Sequence, residues 1–205
     1  MPIAGQEVVL LRPRDYDAML TEEAFEREEL LPYWAQLWPS GTLLAQVLAT
    51  RQWRGRRVLE LGCGLGLASI VAARAGAKVT ATDWSEASVA ATADNAARNG
   101  VGLETIVADW ERPGELVARA PWDLVIGADV LYERKKSDTL LDLLPRLTRE
   151  VILADSHRAT AERFFDGAAA GTPHLGPVRP QRDAARPERD GRALWCAGTA
   201  RRGGA

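Results

Sequence analysis

A chain of 205 residues, 46% of them hydrophobic, is sized for one domain with a substantial core, and a formal charge of -2 gives no sign of a general nucleic-acid or membrane surface. Only Lys78, Lys135 and Lys136 among the 26 basic residues are lysine, an arginine bias that reads as source composition rather than function. Two cysteines, Cys63 and Cys196, are too few for a disulfide framework; there is no signal-peptide pattern, and no apolar run approaches the ~20 residues needed to span a bilayer, so the expected setting is cytoplasmic.

Residues 1–29 are polar and end in the acidic run Glu22, Glu23, Glu26, Glu28 and Glu29, which reads as a solvated helix face. Next, Tyr33, Trp34 and Trp38 crowd into six residues before Pro39-Ser40-Gly41. Two readings fit Trp34 and Trp38: packing against the first strand of the core, or the wall or lid of a pocket. Ser40 is placed to cap a helix carrying Leu43, Leu44, Val47 and Leu48, followed by a basic loop from Arg51 to Arg57.

Val58, Leu59 and Leu61 then make a short apolar run that breaks into Gly62, Gly64 and Gly66 before a helical pattern at Leu67 closed by Gly76. A second strand runs from Lys78 to Thr82 and ends at Asp83; a helix capped by Ser85 stops at Asn99-Gly100, with Asp94, Asn95 and Asn99 expected on its exposed or end face. Leu103 to Val107 reads as a third strand ending at Asp109-Trp110, and Trp122 to Asp129 as a fourth with a polar exit. A helix over Ser137 to Leu147 bears Leu140, Leu143, Leu144 and Leu147 on one face; a fifth strand over Glu150 to Asp155 and a helix over Ala159 to Ala170 follow. The stretch of alternating Pro and Arg after Gly171 reads as an exposed loop before a last short strand, Arg192 to Ala197. Strands alternating with helices imply a parallel sheet with helices on both faces.

Strand, glycine turn and helix together describe a nucleotide-type cofactor site, since glycines admit positive φ and close approach while the helix start offers free N–H groups. Asp83, 21 positions after Gly62 (83 minus 62), ends the second strand where a carboxylate meets ribose hydroxyls. The spacing Gly62-x-Gly64-x-Gly66 is not the Gly-x-Gly-x-x-Gly of a dinucleotide site, and Glu60 suits an amino group better than a pyrophosphate. Asp109 can accept from an adenine amine, with Trp110 against the base. A ligand with an amino-acid part, a ribose and an adenine, and no phosphate, fits these positions: S-adenosylmethionine. Cys63 reads as a small buried residue within the turn.

With Glu60-Leu-Gly-Cys-Gly-Leu-Gly66, Asp83, Asp109-Trp110 and Asp123 to Asp129, the chain resembles the seven-strand class I S-adenosylmethionine-dependent methyltransferases over roughly residues 32–160. That resemblance implies a Rossmann-like doubly wound α/β fold, a sheet of order 3-2-1-4-5-7-6 with strand seven antiparallel. It also implies one domain over 1–205, with residues 1–50 as a lid or substrate segment and 56–200 as the cofactor-binding core. Trp34 to Gly41 and Gly127-Ala-Asp129-Val-Leu-Tyr132 are similar to the protein-lysine methyltransferase-like branch, most of all to the electron-transfer-flavoprotein beta-subunit lysine methyltransferases and their bacterial relatives. In that branch Asp129 and Tyr132 would stand beside the transferred methyl. Trp38, Glu60, Gly62, Cys63, Gly64, Asp83, Trp84, Asp109, Trp110 and Ala128 would hold S-adenosylmethionine and the product S-adenosylhomocysteine, and Trp34, Tyr132 and His157 would meet the substrate.

The expected acceptor is therefore a protein lysine, with a small molecule as the alternative and a non-catalytic cofactor-binding module or a nicotinamide dehydrogenase behind it. From its position alone His157 reads first as a surface residue, with a substrate contact as the alternative. No metal, nucleic-acid or membrane partner is expected, and a monomer or weak oligomer is.

Overall fold

The computed structural model describes residues 1–22, 31–156, 159–161 and 164, and the backbone of 193–198. A small antiparallel hairpin, β1 (Pro2–Ile3) with β2 (Gln6–Glu7), opens the chain. The core follows as α1 (Pro39–Ala49), β3 (Arg57–Leu61), α2 (Leu67–Arg74), β4 (Lys78–Asp83), α3 (Glu86–Arg98), β5 (Glu104–Val107), α4 (Gly114–Ala118), β6 (Leu124–Ala128), α5 (Arg134–Leu147), β7 (Glu150–Asp155) and β8 (Ala193–Gly198). The sheet order is β5-β4-β3-β6-β7-β8, with the first five strands parallel and β8 antiparallel to β7. Among the described residues no helix is long and apolar enough to cross a membrane.

Strand alternation divides the core into two layers. Val58, Leu124, Ile126 and Ile152 face one side, where Leu44, Leu48, Ile70 and Val71 of α1 and α2 cover them. Leu59, Leu61, Val125, Val151 and Leu153 face the other, covered by Leu140, Leu143, Leu144 and Leu147 of α5. The expected leucine face of α5 is thus the buried one, although the helix begins at Arg134 rather than Ser137. Burying both faces of the central strands leaves the carboxyl-end rim of the sheet as the place for polar side chains.

Two expectations are corrected. Ser40 does not cap α1: Trp38 holds the cap position in extended backbone, Pro39 takes the first helical turn where its missing N–H costs nothing, and Ser40 is fully buried. Asn95 is not exposed but completely buried, because its amide is used on three sides. It accepts from Leu11 N at 2.7 Å and donates to Leu11 O at 3.1 Å and to Leu65 O at 3.0 Å. Asn99, one turn on, pairs in the same way with Val9 N and O at 3.0 and 2.6 Å. These two amides act as a mock strand edge that stitches residues 9–11 to α3, which is why a polar N-terminus adds Ile3 and Val8 to the core. The N-terminal segment carries a hairpin and a short 3-10 turn at Asp17–Met19; Glu23, Glu26, Glu28 and Glu29 lie outside the described residues.

Candidate active site

The turn after β3 sits at the centre of the rim. Gly62, Gly64 and Gly66 have φ of 69°, 54° and 82°. Two approaches explain the need. A Cβ on Gly64 would stand 3.3 Å from the carbonyl oxygen of Trp34, so the aromatic N-terminal segment crosses directly over the turn. A Cβ on Gly66 would meet Thr92 Cγ2 at 2.8 Å, so α3 packs where a side chain would be. Gly62 faces Val130 and the ring of Trp110, which brings the exits of β5 and β6 against the same turn.

Two buried carboxylates flank it. Glu60 points, by strand alternation, to the side of α2, where its Oε2 accepts from Ser69 Oγ. Burial pushes its carboxyl up to about 8, against the opposing effect of the Ser69 hydrogen bonds and with a further push from the charge of Asp83. Asp83 ends β4 with both oxygens engaged: Oδ1 accepts from Ser85 N at 3.1 Å, and Oδ2 from Gly64 N at 3.1 Å and Ser88 Oγ at 2.7 Å. Burial raises its pKa, and those donors oppose the rise. Cys63, between them, is a buried free thiol that accepts from Thr92 Oγ1 at 3.3 Å, with its pKa pushed up by burial.

At the next strand end Asp109 is half-exposed. Its carboxylate accepts from Glu111 N and Arg112 Nε, both at 2.9 Å, and the Glu111 N–H above all holds it below the usual range. Trp110 lies against Gly62 with its indole Nε1 buried and without a hydrogen-bond partner among the described residues. Trp84 is 49% exposed beside Asp83.

Ala128 closes β6, and Asp129 follows it in the left-handed region at φ 54°, its N–H bonded to Ala154 O at 2.8 Å. A non-glycine residue there is uncommon and is held by its surroundings. The Asp129 side chain is buried and accepts from Ser156 Oγ at 2.9 Å. Tyr132 meets Tyr33 edge to face at 5.8 Å, and Tyr33 meets Trp38 at 6.2 Å. Trp38 is 37% exposed and donates Nε1 to Tyr33 O at 2.9 Å. Tyr33, Trp38 and Tyr132 thus form one aromatic cluster.

The rim therefore brings together Trp34, Trp38, Glu60, the glycine turn, Asp83, Trp110, Asp129 and Tyr132, while Asp109 turns toward Arg112 and His157 lies outside the described residues. Sequence reasoning missed Tyr33, which joins the aromatic wall, and Ser88 and Ser156, which hold the two rim aspartates. Ser156 was findable: it is the first residue after β7, at the same carboxyl edge as the others.

Comparison with known proteins places this geometry among relatives. A profile of the lysine methyltransferase family matches residues 26–169. The chain is similar to the electron transfer flavoprotein beta subunit lysine methyltransferase of Xenopus laevis, 35% identical over 137 residues that cover 62% of this chain and 54% of that protein. It is also 35% identical over 117 residues to the histone-arginine methyltransferase METTL23 of Xenopus laevis, covering 53% of this chain and 49% of that protein. The chain spans about half the length of the curated relatives that it matches. Among solved structures, the magnesium protoporphyrin IX methyltransferase of Synechocystis with bound S-adenosylmethionine has a TM-score of 0.60 at 19% identity, covering 94% of this chain and 100% of that one, a likeness of fold.

Proposed function

The chain belongs to the lysine methyltransferase family, and we propose that it transfers the methyl group of S-adenosylmethionine directly to lysine side chains of a protein substrate. The observation that carries the reading is the pair of buried carboxylates, Glu60 and Asp83, on either side of a glycine turn that Trp110 and the Asp129 segment also reach. Two buried acids repel a pyrophosphate and attract ammonium and hydroxyl donors. The residues present fit the donor on that ground. Glu60 would receive its amino group, Gly62, Cys63 and Gly64 would line its amino-acid part, Asp83 would take the ribose hydroxyls, and Trp84, Asp109 and Trp110 would surround the adenine. Trp38 and Ala128 would complete its enclosure.

The bound donor supplies an electrophilic sulfonium methyl. A lysine ammonium would first give one proton to water; its neutral amine would then take the sulfonium methyl, the C–S electron pair being left on sulfur, to give a methylammonium and S-adenosylhomocysteine. Presenting a neutral amine at pH 7, from a pKa of ~10.4, costs ~4.6 kcal/mol. Enzymes lower barriers by ~8 kcal/mol or more, so alignment and desolvation suffice and no strong base is required. Asp129 orients the amine, Tyr132 and Trp34 shape its approach, and His157 would contact the substrate.

The finer assignments belong to the same proposal. Residues 1–50 form a lid or substrate segment on a cofactor core of 56–200, and the sheet completes the order 3-2-1-4-5-7-6, a reading supported by the antiparallel pairing of β8 with β7. The protein acts in the cytoplasm as a monomer or weak oligomer, without nucleic acid; its free Cys63 is consistent with a reducing compartment. Thermal melting tests the cofactor: S-adenosylhomocysteine at 100 times its Kd should stabilise the protein by ~2.7 kcal/mol, whereas NAD should not. A midpoint raised by NAD and not by S-adenosylhomocysteine would remove the proposal.

A further inference from the structure

Two serines with no part in the scheme above meet at Asp129. Ser40 is fully buried in the first turn of α1, and its Oγ lies 3.1 Å from Ser156 Oγ. Ser156 in turn donates to Asp129 Oδ1 at 2.9 Å. Ser156 has one hydroxyl proton and spends it on Asp129, so its oxygen is left to accept from Ser40. The result is a directed line, Ser40 O–H to Ser156 O–H to Asp129.

Three elements converge to make it. The backbone of Asp129 is fixed by its bond to Ala154 of β7, Ser156 leaves the end of that same strand, and Ser40 arrives on α1, which packs across β6 and β7. A carboxylate on a fixed backbone still rotates about its last torsion, whose preferences are broad. A hydrogen bond to the ionised oxygen removes that freedom and is stronger than one between neutral groups.

We propose that Ser40 and Ser156 are positioning residues that set the plane of the Asp129 carboxylate for the incoming amine and make that setting depend on the seating of the Trp38-Pro39-Ser40-Gly41 turn. This rests on the reading of Asp129 as the group that orients the lysine. The segment that walls the pocket and the carboxylate that aims the acceptor are then one unit: Ser40 can reach Ser156 only while α1 is docked with the aromatic wall in place.

The test uses the full chain, labelled S-adenosylmethionine at saturation and lysate protein as acceptor, with S-adenosylhomocysteine affinity measured by calorimetry. Ser156→Ala should lower the transfer rate about tenfold and Ser40→Ala about threefold, the scale of a hydrogen bond to a charged group and of its outer neighbour. Affinity for S-adenosylhomocysteine should stay within about twofold in both. The double variant should match Ser156→Ala alone, because Ser40 acts on Asp129 only through Ser156, and Ser156→Thr should restore the rate. Full activity in Ser156→Ala, single losses that multiply in the double variant, or affinity falling in step with rate would each overturn the relay. Asp129→Asn is measured beside them. If it is inactive while Ser156→Ala is fully active, the relay alone fails; if it keeps the native rate, the reading beneath the relay fails with it.

Discussion

Gly64 donates its backbone N–H to Asp83 Oδ2 over 3.1 Å, so the turn that follows β3 is fastened to the carboxylate that ends β4. One acid both shapes the glycine turn and faces the ligand that the turn would hold. Replacing Asp83 by Ala should therefore weaken S-adenosylhomocysteine binding by at least about tenfold, the equivalent of one charged hydrogen bond. Calorimetry on variant protein shown by circular dichroism to be folded checks this; native affinity in that variant would take Asp83 out of the cofactor site.

Glu60 makes a different prediction because it is held protonated. Its folded pKa of about 8 lies above the ordinary 4.5, so between those values the folded chain keeps a proton that the unfolded chain has lost. Stability from this group is complete below pH 4.5, falls as pH rises by up to about 1.4 kcal/mol per unit, and levels off above 8. Glu60→Gln should flatten that slope in urea titrations between pH 5 and 8. An ammonium group beside Glu60 would ionise it, so S-adenosylhomocysteine binding at pH 7 should release close to one proton, read from the dependence of the heat on the buffer. Binding without proton release would place the amino group elsewhere.

Gly66→Ala should destabilise the protein by ~2 kcal/mol, since φ of 82° disfavours an L side chain and the new methyl would press on Thr92 at 2.8 Å. Chemical denaturation measures it. A loss under ~0.5 kcal/mol, the range of neutral surface changes, would mean that α3 gives way easily there.

Asp129→Asn should cut methyl transfer by ~100-fold or more while S-adenosylhomocysteine affinity stays near native, as expected for a group that aligns the acceptor. Parallel loss of binding would move Asp129 into the cofactor site.

The five parallel strands and their helices were legible because burial on both faces demands apolar runs, and Val58–Leu61, Leu124–Ile126 and Val151–Leu153 provide them. The rim acids were legible from position alone, each at a strand end. What escaped is what long-range partners decide. Asn95 has the composition of an exposed helix face, and only the arrival of Leu11, 84 residues away, makes it buried. Ser40 reads as a cap from its neighbours, yet its hydroxyl is claimed by Ser156, 116 residues on.

The proposed acceptor of the methyl group is a protein lysine. Labelled S-adenosylmethionine and the purified chain would be added to lysate depleted of endogenous methylation, and the protein and small-molecule fractions counted and hydrolysed to amino acids. Label is expected in protein, recovered as methyllysine and absent with Asp129→Asn. Label confined to metabolites, or recovered from protein only as methylarginine, would contradict a lysine acceptor.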